Sequence, residues 1–320
     1  MLKENPIVSI VIPVYNGANY MREAIDSALN QTYKNIEVIV INDGSDDNGD
    51  TERIALSYGD RVRYFYKENG GVSSALNLGI REMRGKYFSW LSHDDVYYDT
   101  KIENQIKVLL RIDNDDIIAY CKTTFINKDS ALINKEWHKT SLKPNQLTNY
   151  EDSLLSLLKD GVFSGCALLI PKKIFIDNNI FFDENMRYSQ DIFMWYRIFL
   201  KKYSLIYIDD IGVKSRLHEK QLTQTGKAIF KKDSLNICKQ LSQEFVDISS
   251  KNYNFIYYYA KSNAIYGNKE VVSICIKEAK KSKKISVFQR LKIYFFKTYG
   301  KLRPAIRRIY YRLFRKMKTN

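Results

Sequence analysis

Long apolar runs are missing from this 320-residue chain. No stretch of about 18 uninterrupted apolar residues occurs, so no membrane-spanning helix is expected. The N-terminus, "MLKENPIVSIVIPVYNG", lacks a basic start, a long apolar segment and a small-residue cleavage site, and we expect a protein that is neither secreted nor membrane-spanning. Cysteine is scarce. Cys121, Cys166, Cys238 and Cys275 form no CxxC pair and have no histidine at metal-binding spacing, which fits a reducing cytoplasm. They read as small core residues. No GxGxxG follows a strand, which argues against a dinucleotide-dependent oxidoreductase. Internal repeats and low-complexity segments are also absent.

Acidic residues are missing from one region only. The net charge is +15, yet 15 of the 51 Lys and Arg lie between 280 and 320, where there is no Asp or Glu; the preceding residues carry 36 basic against 36 acidic side chains. The body is therefore neutral and the excess sits in the tail.

What the chain does contain is an alternation of strand-like and helix-like segments. "IVSIVIPVY" (7–15) and "IEVIVIND" (36–43) read as strands buried on both faces. "ANYMREAIDSALNQ", a segment near 48–58 and "GGVSSALNLGIREMRG" read as helices between them and the shorter strands "RVRYFYK" and "KYFSWLS". Further on come a helix "KIENQIKVLLR", strands near "DIIAYCK" and "CALLIP", and an amphipathic helix "SQDIFMWYRIFLKK". This rhythm predicts an α/β fold: a mostly parallel central sheet with helices on both faces, followed by a C-terminal helical extension. Expected boundaries are 1–225 for the main domain, with halves 1–100 and 101–225, then 226–279 for helices and 280–320 for a basic amphipathic tail.

Ligands of such sheets collect at the C-terminal strand ends, where Asp43, Asp94 and Asp95 fall. Each signal taken singly has a plain explanation. "NDGSDD" is rich in turn formers, a carboxylate pair in a loop is ordinarily solvated, and Asp191 near a helix start complements the helix dipole. Both acidic strand ends facing one crevice is harder to dismiss. Hard divalent cations are held there by one or two carboxylates plus phosphate oxygens.

The run "VSIVIPVYNGANYMREAIDSALNQTYKNIEVIVINDGSDD", continued by "NGGVSSALNLGI", "WLSHDD", "FDENMRYSQDIFMWYRI" and "RLHEKQLT", resembles family 2 glycosyltransferases of the GT-A fold over about the first 225 residues. The resemblance implies roles by position. Pro13, Tyr15 and Asp43 fall where the nucleoside is held, with Asp43 reading the base, most often uracil, and Asn69 falls among the residues that bind the nucleotide-sugar. Asp94 falls near the ribose or sugar, and Asp95 on Mn²⁺ or Mg²⁺. Asp191 matches the catalytic base of inverting members, and His218 a histidine that reaches the metal or diphosphate. Two departures stand out. Leu76 occupies the place where many relatives have Arg, with Lys67 a candidate substitute, and Gln190 precedes the base where Glu is frequent.

The implied reaction is transfer of one sugar from a UDP-sugar to a hydroxyl of a lipid-linked or surface glycan, as in capsule, lipopolysaccharide or teichoic acid assembly. A cation neutralises the departing diphosphate and a carboxylate takes the acceptor's proton. Two other readings compete. A sugar-1-phosphate nucleotidyltransferase of related fold would favour a glycine-rich basic loop after strand one, which "PVYNGANY" does not supply. A nucleic-acid-binding protein would use the basic tail, but the neutral body disfavours it, and no nucleic-acid partner is expected.

The tail itself reads as an address. In "LRPAIRRIYYRLFRKMK", Leu302, Ile306, Ile309, Tyr310, Leu313, Phe314 and Met317 fall on one helical stripe amid basic residues. Upstream, "VFQRLKIYFFK" repeats the scheme with Val287, Phe288, Leu291, Tyr294 and Phe295. Basic amphipathic helices with aromatics lie in the interface of anionic membranes. The expected location is cytoplasmic, peripherally attached to the inner face of the cell membrane. An oligomerisation helix, or one packed on the body, is the plainer alternative.

Overall fold

A computed structural model of the chain describes residues 5–133, 140–161, 163–219, 227–241, 244–245 and 252–298. The expected tail helix over 302–317 lies outside the described residues. Two compact units are present, Met1–Lys227 and Ala228–Asn320.

In the first unit the early strands follow the apolar pattern. β1 (Val8–Val14) is buried at every position, and β2 (Ile36–Asp43) lies beside it in parallel, with Val8 opposite Ile36 and Val14 opposite Asn42. β3 (Arg63–Lys67) continues the sheet beyond β2, and β4 (Tyr87–Trp90) pairs with the other side of β1, both in parallel. The intervening helices α1 (Met21–Leu29), α2 (Asp50–Leu56) and α3 (Val72–Glu82) flank the sheet. Each fully buried Val, Ile or Leu side chain contributes roughly 1.5–3 kcal/mol to this core.

Beyond β4 antiparallel pairs enter, so the expectation of a mostly parallel sheet holds only in part. After β5 (Val96–Tyr97) and α4 (Lys101–Ile112) come β6 (Ile117–Ile126), β7 (Leu132–Ile133), β8 (Leu147–Thr148), α5 (Tyr150–Asp160), β9 (Leu168–Pro171), α6 (Lys172–Asp177), α7 (Gln190–Leu200) and β10 (Ser204–Arg216). The main path of the sheet is β3-β2-β1-β4-β9-β6-β10-β5. β9 runs antiparallel to both its neighbours, and β5, β7 and β8 also pair antiparallel, so the sheet is mixed. An unbroken apolar run such as "CALLIP" reports burial on both faces; it carries no information on strand direction.

One pairing positions the site. β5 follows the acidic loop directly, and it lies against β10 with Tyr97 opposite Val213 and Val96 opposite Lys214. Extending that antiparallel register by two residues brings Arg216 opposite Asp94, and the segment bearing His218 alongside the acidic loop.

The second unit contains helices Lys227–Gln240, Tyr253–Tyr266 and Lys269–Lys281, and a further helix over 287–298. Asn252 caps Tyr253–Tyr266 by accepting from the amides of Asn254 and Phe255, and Gly267 closes that helix with φ 78°. Among the described residues, no helix is long and apolar enough to cross a membrane.

Candidate active site

The turns that leave β1 and β2 are laced together. Asn16, in the left-handed region with φ 52°, donates its amide to Ser45 Oγ (2.9 Å), and its side chain exchanges hydrogen bonds with Asp46. Pro13 is buried near the end of β1, whereas Tyr15 is exposed just beyond it. Asp43 closes β2 with its carboxylate turned into the loop before α3. Oδ1 accepts from Lys67 Nζ (2.7 Å) and the Gly70 amide (3.0 Å), and Oδ2 from the Gly71 amide (2.7 Å). Asn69 Nδ2 donates to the Asp43 carbonyl (2.9 Å). The structure thus brings Asp43, Lys67 and Asn69 together. It also gives Asp43 a holding role, because both its oxygens already serve the loop. Gly71, at φ 87°, supplies the backbone conformation that opens α3 at this point. Leu76 is fully buried, so the residue in the usual arginine position belongs to the core.

The acidic loop separates its two carboxylates. Asp95 points inward and is 6% exposed; its Oδ1 accepts the Arg216 amide (2.9 Å), and Ser215 and Cys166 also bond to it. Burial, with the Asp94 charge next to it, pushes the Asp95 carboxyl up to about 7. Asp94 faces the other way, with Oδ2 3.0 Å from His218 Nε2. Burial opposes its charge, but the His218 hydrogen bond and the neighbouring His93 hold its carboxyl below the ordinary value. His93 packs on the turn after β1 at Gly17, where an added Cβ would stand 2.6 Å from the imidazole. The expected assignment placed Asp95 on the cation and Asp94 toward the ribose; in the structure it is Asp94 that pairs with His218, while Asp95 bonds the Arg216 amide.

This donor set suits a divalent cation. An aspartate oxygen and an imidazole nitrogen face each other at 3.0 Å, and both are ligand types that Mn²⁺ and Mg²⁺ accept. Among the described residues no cluster of three or more His, Cys, Asp or Glu stands ready to hold a metal. A cation held there would take its remaining ligands from water and phosphate, as is usual for ions that dehydrate reluctantly.

Asp191 sits in the first turn of α7, accepting the Ile192 amide at 2.7 Å. Burial outweighs that bond and pushes its carboxyl up to about 6. Beside it the Gln190 Oε1 is buried with no hydrogen-bond partner among the described residues. The segment leading to α7 is tied to α3 by Asn77, which accepts from the Phe182 amide (2.8 Å) and donates to the Phe182 carbonyl (2.9 Å) and Glu184 (2.9 Å). Trp195 is packed, its indole donating to the Phe163 carbonyl (3.1 Å), and Arg197 donates to the Phe181 carbonyl (2.7 Å).

The sequence model of glycosyl transferase family 2 matches residues 9–178, more than half of the chain. The chain belongs to this family. An uncharacterized glycosyltransferase of Rickettsia prowazekii (strain Madrid E) is 53% identical to it over 231 residues, 70% of this chain and 69% of that protein. The chondroitin synthase of Pasteurella multocida (strain Pm70) is 39% identical over 145 residues, 45% of this chain and 15% of that protein. Among solved structures, Staphylococcus aureus TarS 1–349 in complex with UDP-GlcNAc aligns with a TM-score of 0.63 and 15% identity, covering 93% of this chain and 91% of that one. At this identity the likeness speaks for the fold.

Several residues of this glycosyltransferase that build the site escape a linear reading. Arg216 is fully buried between the acidic pair and α1, and Glu23 and Tyr20 meet it there. The only signal in the sequence was the position of Arg216 two residues before His218. Lys101 is also buried, donating to Ser89 Oγ (2.9 Å) behind the acidic loop, and burial pushes its ammonium down to about 8.

Proposed function

We propose that this glycosyltransferase moves one sugar, with inversion, from a UDP-sugar to a hydroxyl of a glycan or lipid-linked glycan. The observation that carries the reading is the Asp94–His218 pair, which joins two motifs 124 residues apart at the C-terminal edge of the sheet. The nucleoside lies between the turns after β1 and β2, in reach of Tyr15, Asp43 and Asn69. Asp94 and His218 would hold Mn²⁺ or Mg²⁺, with Asp95 supporting the loop from behind. That cation, when bound, offsets the negative charge that grows on the leaving diphosphate.

Asp191 supplies the base. A carboxyl poised at about 6 is largely ionised at neutral pH yet retains proton affinity, which favours general-base catalysis. The acceptor oxygen forms its bond to the anomeric carbon while its proton passes to Asp191. The bond to the diphosphate breaks, and UDP departs with the electron pair. The unpartnered Gln190 oxygen offers a hydrogen-bond acceptor for a sugar hydroxyl or amide beside the base.

The basic segment 280–320 rests on an anionic membrane in this reading, placing the enzyme at the inner face of the cell membrane. Support comes from the helix over 287–298. Val287, Phe288, Leu291, Tyr294 and Phe295 are exposed on it while Ile293 and Phe296 are buried. Lys292 lies 4.8 Å over the Phe288 ring, and Lys297 5.6 Å over that of Tyr294. Apolar bodies with basic tips at their edges suit a lipid interface.

Calorimetry of UDP with and without Mn²⁺, on the intact chain and on Asp94→Asn, tests the core of this reading. Cation-enhanced binding that the substitution removes is the expected result. No UDP binding in either condition would eliminate the donor class.

A further inference from the structure

Arg216 is 0% exposed, and burying an unpaired guanidinium would cost several kcal/mol. Among the described residues its partners come from three separate segments. Nε donates to the Asp94 carbonyl (2.8 Å). Nη1 donates to Ser130 Oγ (2.8 Å) and to the carbonyls of Asn127 (3.3 Å) and Lys128 (3.4 Å), in the turn between β6 and β7. Nη2 forms an ion pair with Glu23, in the first turn of α1. The guanidinium carbon also lies 4.4 Å from the centre of the Tyr20 ring, and that ring stands 5.3 Å from the imidazole of His218. Through its own amide Arg216 bonds Asp95. One residue therefore touches both acidic residues directly and the imidazole through one aromatic ring.

We infer that Arg216, clamped by Glu23 and Ser130, is a positioning residue that holds Asp94, Asp95 and His218 in the arrangement able to take a divalent cation. The inference rests on the cation reading of the acidic loop given above. A planar fork is what the task needs. It can bond a carbonyl on one edge and a carboxylate on the other while stacking on an aromatic face, which a point-charged ammonium cannot reproduce. Glu23 adds a second consequence. It lies in the helix that begins just after Tyr15 and Asn16, so the clamp ties the nucleoside-side turn to the cation-side loop. Partners at one remove from a metal commonly set its affinity by 10–100-fold.

The test is Mn²⁺ binding to the full chain, followed by electron paramagnetic resonance, for the wild type, Arg216→Lys, Glu23→Gln and their double variant. UDP binding without cation is measured in parallel by calorimetry, and folding by circular dichroism. Arg216→Lys should raise the Mn²⁺ dissociation constant at least about tenfold while leaving cation-free UDP binding within about twofold. Glu23→Gln should raise it less, and the double variant no further than Arg216→Lys, because both act through one clamp. Unchanged Mn²⁺ affinity in folded Arg216→Lys, or an equal loss of cation-free UDP binding, overturns the inference. If Arg216→Lys does not fold, Glu23→Gln and Ser130→Ala decide: a weaker Mn²⁺ site with normal UDP binding supports the clamp, and unchanged Mn²⁺ affinity in both overturns it. Wild-type chain that binds UDP but no Mn²⁺ removes the cation reading itself, and this inference falls with it.

Discussion

The Nε2 atom of His218 stands 3.0 Å from Oδ2 of Asp94, whereas Asp95, the next residue in the chain, turns its carboxylate inward to the amide of Arg216. Both residues lie in the loop between β4 and β5, and their partners, His218 for Asp94 and the Arg216 amide for Asp95, set the two carboxylates apart.

That division separates two substitutions that look equivalent in sequence. Asp94→Asn should weaken Mn²⁺-dependent UDP binding by about tenfold or more, because a charged oxygen ligand is lost. Asp95→Asn retains an oxygen acceptor for the Arg216 amide and removes a carboxyl that burial penalises, so it should fold and keep most of the cation response. Calorimetry at fixed UDP and varied Mn²⁺ compares them. Equal losses would contradict the assignment.

Alongside its proposed role as base, Asp191 carries a cost in stability. Its folded-state affinity for the proton lies above the unfolded carboxyl value. It therefore contributes stability that is fully present below about pH 4 and lost as pH rises through about 6. Asp191→Asn should accordingly raise stability above pH 6 by roughly 1–3 kcal/mol, seen as a higher melting temperature. The same substitution should lower kcat by about 10²–10⁴-fold. In the wild type, kcat should fall as pH drops below about 6.

Asp43→Ala should strip the loop before α3 of its acceptor, leaving the Gly70 and Gly71 amides and Lys67 without their partner. A stability loss of about 1–3 kcal/mol is expected from denaturant titration. UDP affinity should fall whether or not Mn²⁺ is present. A loss confined to the Mn²⁺-dependent part would place Asp43 at the cation instead.

The outward face of the 287–298 helix gives a test of location. Phe288→Asp with Leu291→Asp should reduce co-sedimentation with vesicles containing anionic lipid, and the wild-type interaction should weaken as salt rises. Transfer to a soluble acceptor should be unchanged. Equal sedimentation of variant and wild type would count against a lipid contact through this face.

Much of the architecture was legible because burial writes itself into apolar periodicity. The expected strand at 36–43 is β2 residue for residue, and the expected helix "SQDIFMWYRIFLKK" is α7 with its ends trimmed. β10 was harder to see, since "SLIYIDDIGVKSR" mixes buried and exposed positions around a register shift between Ile208 and Val213. The direction of β9 was invisible, because "CALLIP" reads alike whichever way it runs.

Of the site, the sequence by itself determined which residue types stand at the strand ends: Asp43, Asp94 and Asp95 after buried strands, Asp191 at a helix start, His218 in a polar segment. Those are local facts, set by propensity and pattern over a few residues. Only the tertiary structure decided their partners. The β5–β10 register sets His218 beside Asp94, packing turns Asp95 inward, and three distant segments converge to seal Arg216. Partnership between residues 124 positions apart depends on strand direction and register. Neither leaves a trace in the one-dimensional pattern, since a buried run satisfies the hydrophobic effect equally well in any direction or pairing.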